Sequence, residues 1–456
     1  MNERLRALNR FGLGARIGEV EELDAPRRWL HDQVDAAPSD DGGDDLPTVR
    51  EIGAAFSGLR EAQRSRSEDA IADARRGLRE LVATEVSAAF ARRVRSERPF
   101  VERLVAFWSN HLCVSASSKQ QVAAFAGHYE RTAIRPHVLG RFEDLVMASA
   151  KHPAMLFYLD NFQSIGPDSL AGRRSARGGN ARGLNENYAR ELLELHTLGV
   201  DGGYGQDDVE ALARILTGWT VAGVGPAARD GETMRFAFRP ILHEPGAKTV
   251  LGTSYGGGSR RRGGGVEEGE EAIRDLCRHP STARFVATKL VRHFVSDDPP
   301  GEAVERVAGV FQESRGDLRE VAHAVVELDE AWTTRHRKFR PPQEWLVAVL
   351  RAFRVEEVPE RAPGVLRQLR HSLWAPPSPK GYEDTQGPWS DPDALMNRAE
   401  LARSIARPMR IRDPRVVLSV IEVEDGDPLH DALGDPSIPV RDRVALGIGG
   451  PTFQWR

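Results

Sequence analysis

Cysteine is nearly absent: Cys113 and Cys277 are the only two in 456 residues, and their surroundings are unrelated. That excludes a disulfide framework and a CxxC-type zinc site. Long hydrophobic runs are missing as well. No stretch of 18 apolar residues occurs, and the opening MNERLRALNRFGLGAR lacks the apolar segment of a signal peptide. The expectation is a cytoplasmic protein with no membrane span, with export alongside a signal-bearing partner left open. Charge of one sign is lacking too. A net charge of −4 over this length argues against an electrostatic grip on nucleic acid. The chain has no GxSxG, P-loop, HExxH, or GxGxxG in a βαβ unit, which removes the familiar nucleophile, nucleotide and zinc-protease signatures.

What is present reads as helix. Hydrophobic residues at 40% and charged residues at 29% supply an ordinary globular core. The segment from Glu51 to Ser96, rich in Ala, Leu, Arg and Glu, predicts two long helices leading into PFVERLVAFWSNHL. Further helices are expected through 133–161, 183–199 and 280–297, with several more toward the end. MRFAFRP (234–240) and KTVLGTSY (248–255) are the main strand signals, and the turn-like LHEPGA between them suggests one small hairpin. The fold class is therefore mainly α: a single large multi-helix, bundle-like domain with a β-hairpin excursion. An N-terminal helical region (1–96, acidic linker near 36–48) precedes a helical core (97–456, hairpin near 234–255). Three loops stand out: basic, glycine-rich stretches at 166–183 and 256–270, and a Pro- and Trp-rich loop at 373–393 that reads as packed.

The densest chemistry lies in GLNENYARELLELHTLG (183–199). Asn185 is a good N-cap and Gly199 stands where a C′ glycine belongs, giving a regular helix from Glu186 to Leu198. At about 100° per residue, Asn187 and Glu194 fall within roughly 60° of Glu191, while His196 lies among the leucines. Glu191 and Glu194 thus share a face from which two carboxylates ligate one metal or bridge two. The plainer alternative, which spacing alone favours, is a solvated polar face with Glu186–Arg190 as an ion pair.

His111 ends the apolar face of VERLVAFWSNHL, where a packed core histidine is the commoner case. His243 and Glu244, with Lys248 after them, sit at the expected hairpin turn, a rigid platform for a ligand or an acid–base group. His152 and His279 each precede a proline and read as helix caps. A His and carboxylate set without sulfur suits Fe, Mn or Zn. The reading is a metal-dependent redox enzyme of hydroxylase or oxygenase type, with Fe or Mn on His111, Glu191, Glu194 and His243. Asn187, Glu244 and Lys248 would stand beside it as acid–base or orienting groups. One alternative is a non-covalent haem protein with His111 or His128 as axial ligand. Another is a non-catalytic assembly partner.

RFGLGAR, FWSNHLCVS, AIRPHVLGRFEDLVMASAKHPAMLFYLDNFQSIG, LNENYARELLELHTLGVDGGYGQDDVEALARILTGW, HEPGAKTVLG, HPSTARFVATKLVRHFVSDDPP, PPSPKGYEDTQGPW and PTFQWR occur in that order. Together they resemble the bacterial family catalogued as domain of unknown function 1800, over essentially the full chain. The resemblance implies one integrated fold. It brings no established activity and no catalytic residues. It does imply a candidate partner, the sulfatase-like family called domain of unknown function 1501. Many members carry export signals, unlike the start of this sequence, and PTFQWR departs from the family's usual acidic ending.

Overall fold

The computed structural model describes residues 3–37, 46–177, 183–224, 234–256, 265–333, 338–355, 357–424 and 426–456. Residues 38–45 of the acidic linker, 178–182 at the end of the first basic glycine-rich loop and 257–264 of the second lie outside the described residues. Helix starts follow local chemistry. Thr48 accepts from the Glu51 amide at 3.3 Å while the Glu51 carboxylate accepts from Thr48 N–H at 2.8 Å, a reciprocal cap that opens α1 (Val49–Ser65). Ser67 caps α2 (Glu68–Arg95), and these are the two long helices expected. Pro99 fills the first turn of α3 (Pro99–His111), which buries Phe100, Leu104, Phe107, Trp108 and His111. His152 and His279 cap as expected, each Nδ1 accepting from the amide two residues on, at 3.1 and 3.2 Å.

One hydrophobic core runs from Leu5 to Phe453. Phe11 shows how it joins distant segments: its ring stacks on Phe294 and Trp332 and meets Phe100 edge-on. The fold is mainly α, as the sequence implied. No helix among the described residues is long and apolar enough to cross a membrane.

Three expectations need correction. The 166–183 stretch, expected as a loop, is helical over Leu170–Arg177. The segments 234–240 and 248–255 do not pair with each other. Instead β1 (Trp219–Val221) pairs antiparallel with β2 (Phe236–Phe238), and β3 (Lys248–Val250) folds back on β4 (Thr253–Tyr255). Leu251 and Gly252, both at positive φ, make that tight turn, so the hairpin lies within KTVLGTSY. The segment 183–199 is not one regular helix either. α4 (Asn187–Glu191) gives way to a π-helical turn, Leu192–His196. Thr197 Oγ1 donates to Leu192 O at 2.6 Å and Gly199 N–H to Leu193 O at 3.2 Å, taking carbonyls that a regular helix would carry forward. Gly199 has φ +83, and a Cβ there would lie 2.7 Å from the Phe285 ring. A side chain is excluded on both counts. The cap position falls on Glu186, without a side-chain cap, and Asn185 one residue earlier accepts from Asn187 N–H at 2.9 Å through its Oδ1.

Two further helices complete the frame around the site: α5 (Pro280–Phe294) and α6 (Pro342–Ala352). The Pro- and Trp-rich loop is packed, as its composition suggested. Asn110 clamps it through both backbone groups of Tyr382, and Ser115 Oγ donates to Pro376 O at 2.7 Å.

Candidate active-site cavity

α3, α5, α6, the π turn and the loop from His371 to Thr385 line a half-open cavity of about 510 Å³. That is the size of a small-molecule site. Much of its wall is charged, and most of those charges are paired. Glu344 of α6 meets Arg103 at 2.8 Å and Arg456 at 2.7 Å. Burial alone would raise the Glu344 carboxyl, but the two guanidiniums bring it down to about 2. Arg93 reaches Glu130 Oε2 at 2.9 Å, and Ser109 Oγ and Trp374 Nε1 donate to the same oxygen at 2.9 and 2.8 Å. Trp374 holds φ +51 to do so, an unusual backbone for a bulky residue and a form of strain that clusters at functional sites.

The centre of interest is His293 on α5. Its Nδ1 donates to Asp384 Oδ2 at 2.8 Å, and its buried Nε2 has no partner among the described residues. Burial would raise the Asp384 carboxyl, but His293 and Lys338 more than offset it and hold it well below the usual range. Burial lowers the His293 imidazole, against the pull of Asp384. The result is a neutral, oriented ring with one free lone pair. An unbonded buried nitrogen costs about 1–3 kcal/mol, so it asks for a functional reason. Two other cavity groups are spoken for. The Cys113 thiol, pushed up to about 12 by burial, donates to Pro379 O at 3.1 Å and is no nucleophile. His371 accepts from Gln343 N–H at 3.2 Å and stacks on Trp389.

The residues predicted from sequence divide. His111 and Glu194, 83 positions apart, line this cavity together. His111 Nε2 donates to His196 O at 3.1 Å, leaving its Nδ1 buried and unbonded, and His196 Nε2 is unbonded as well. The π turn puts the backbone of His196 against α3. His196 itself is buried, and desolvation lowers it to about 3. Glu191 is half-buried beside Glu194, its carboxyl raised by burial and by that neighbour, but it is not part of the wall. Asn187 is exposed.

His243, Glu244 and Lys248 belong elsewhere. His243 Nδ1 donates to Thr217 O at 2.8 Å, and its Nε2 faces Lys248 Nζ at 3.3 Å and Glu268 at 3.4 Å. Lys248 pairs with Glu268 at 2.8 Å. Glu244 accepts from Asp168 N–H at 2.8 Å, tying down the loop that begins at Gly166. These three knit the strand region together and do not join His111 and Glu194. The His128 ring nitrogen Nδ1 is bonded to His152 Nε2 at 2.8 Å. Among the described residues no three His, Cys, Asp or Glu side chains converge as a metal-ligand group.

Sequence reasoning passed over Lys289, Arg292, His293 and Asp384. The first three were legible as one helix edge, spaced i, i+3 and i+4 in KLVRH, but they were read only as part of a helix. Asp384 carries no local signal, because its role depends on a contact 91 residues away.

The fold and the site together define a mainly α protein with a half-open cavity that holds an Asp–His pair among charged and apolar side chains. The chain belongs to the family described as protein of unknown function (DUF1800), whose family model matches residues 6–447. No curated protein and no solved structure matches it.

Proposed function

We propose that the chain is an enzyme acting on a small molecule within the cavity, with His293 as general base oriented by Asp384. The observation that carries the reading is the 2.8 Å bond from His293 Nδ1 to Asp384 beside an unbonded Nε2. The carboxylate fixes the tautomer and stabilises the imidazolium formed when Nε2 takes a proton. Lys338 supports Asp384 from behind, through its carbonyl at 2.8 Å and its carboxylate at 3.6 Å. The test is to incubate wild type, His293→Gln and Asp384→Asn with a small-metabolite extract and follow depletion by mass spectrometry. A compound consumed by wild type and spared by both variants supports the reading; equal depletion by all three overturns it.

A metal-dependent redox reading is the second. It is favoured by His111 and Glu194 on one wall, and by the bare nitrogens of His111 and His196. Fe or Mn held there would supply redox chemistry, and His243 would have no part in it. Cytoplasmic location and a sulfatase-like partner stand beside these as proposals of the same kind.

A further inference from the structure

Of the 63 lysines and arginines in the chain, only six are lysine. Five have a carboxylate partner: Lys119 with Asp160, Lys151 with Glu270, Lys248 with Glu268, Lys338 with Asp297 and Asp384, and Lys380 with Glu383. Lys289 has none. It lines the cavity one turn before His293, and its ammonium lies over the face of Phe285, 5.6 Å from the ring centroid. Arg292, on the same helix edge and the same wall, also lacks an ion pair or hydrogen bond among the described residues. A chain built almost wholly on arginine thus places an unpaired lysine inside its cavity. Arginine does the structural work of a cation at least as well, but it cannot present a neutral amine.

From this cavity geometry we infer that Lys289 is a nucleophilic amine that forms a Schiff base with a small carbonyl substrate bearing an anionic group. The inference rests on the reading of the cavity as an active site. The neutral amine attacks the carbonyl carbon; the C–N bond forms as the C=O π pair moves to oxygen. His293 Nε2 takes a proton from the nitrogen and returns it to the oxygen, giving the carbinolamine. A second proton, from solvent through the same imidazole, carries the hydroxyl away as water while the nitrogen lone pair forms C=N. In sum, one proton is taken up and one water is released. Arg292 meets the substrate's carboxylate or phosphate. Burial, aided by Arg292 and Lys380 and opposed by Cys113 and Asp384, lowers the Lys289 ammonium to about 8, which increases the fraction of free amine.

The test uses the full chain with glyoxylate and sodium cyanoborohydride at pH 7.5, followed by peptide mapping of all six lysines. Propanal serves as the uncharged carbonyl. With glyoxylate, Lys289 should be alkylated at least ten-fold faster than any other lysine. Lys289→Arg should remove that adduct alone, with the circular dichroism spectrum unchanged. Arg292→Gln should bring the glyoxylate rate down to that of propanal, and His293→Gln should slow trapping several-fold. Labelling of Lys289 no faster than of Lys119 or Lys380 overturns the inference. Trapping needs no turnover, so it can fail while the His293-dependent depletion stands, and the reverse.

Discussion

The side-chain amide of Asn110 clasps both backbone groups of Tyr382: Nδ2 donates to Tyr382 O at 2.9 Å, and Oδ1 accepts from Tyr382 N–H at 2.7 Å. One residue thereby holds the loop that carries Asp384 to the helix that carries His111, across 272 positions of sequence. Gly381, at φ +88, makes the approach feasible; a Cβ there would lie 2.5 Å from Asn110 O.

Asn110→Ala removes both bonds and leaves two backbone groups of the loop unsatisfied. The expected loss is roughly 2–4 kcal/mol. Hydrogen exchange should show amides of residues 378–386 opening well before those of α3, and exchange that stays uniform across the two would contradict the clamp.

Glu130 gathers three donors on one buried oxygen, so Glu130→Ala strands the guanidinium of Arg93. A loss of about 3–5 kcal/mol is expected, seen as a lower urea midpoint. Glu130→Ala with Arg93→Met should recover part of it, because the stranded charge is then gone. If the double variant is no more stable than Glu130→Ala, the stranded-charge account fails.

Stability should fall on acidification from neutral pH. Buried His196 and His371 are lowered from 6.5 to about 3 and stay neutral in the fold, whereas the unfolded chain takes up protons below 6.5. Glu344, lowered from 4.5 to about 2, acts in the same direction. Each folded pKa is depressed, so each contribution is present above the unfolded value and lost as pH falls through the folded one. The window is pH 6.5 to 3 for the histidines and 4.5 to 2 for Glu344. Urea midpoints between pH 3 and 8 check this, and Glu344→Gln should flatten the lower part of the curve. A midpoint unchanged from pH 6.5 to 3 would refute it.

Metal addition tests the second functional reading directly. Fe(II) or Mn(II) should raise the thermal midpoint of wild type by several degrees, with no rise in His111→Ala or Glu194→Ala. His243→Ala should retain the rise while lowering the baseline, since it unties Thr217 from Glu268. Equal responses in all four proteins would remove the metal from this cavity.

Composition and periodicity alone established the mainly α class, the two long helices before Pro99, the histidine caps and the packed Trp-rich loop. The helices and caps depend on contacts within a few residues, which is why they are visible in the sequence; the loop showed only that it packs, and its partners Asn110 and Ser115 lie more than 260 positions away. The hairpin pairing was not, because Phe236–Phe238 had two possible neighbours and only the folded chain chose Trp219–Val221. The phase of 183–199 was not either. A helical wheel presumes one repeat throughout, and the packing of Gly199 against Phe285 goes with a π turn that breaks it. The sequence marked His111 and Glu194 as chemically capable, and it marked His243 equally. Tertiary structure brought the first two to one cavity and spent the nitrogens of the third on Thr217, Lys248 and Glu268. It also joined His293 to Asp384 and, among the described residues, left Lys289 without an ion pair. A residue's chemistry is written in its type, but whether its atoms are free is settled only by what packs against them.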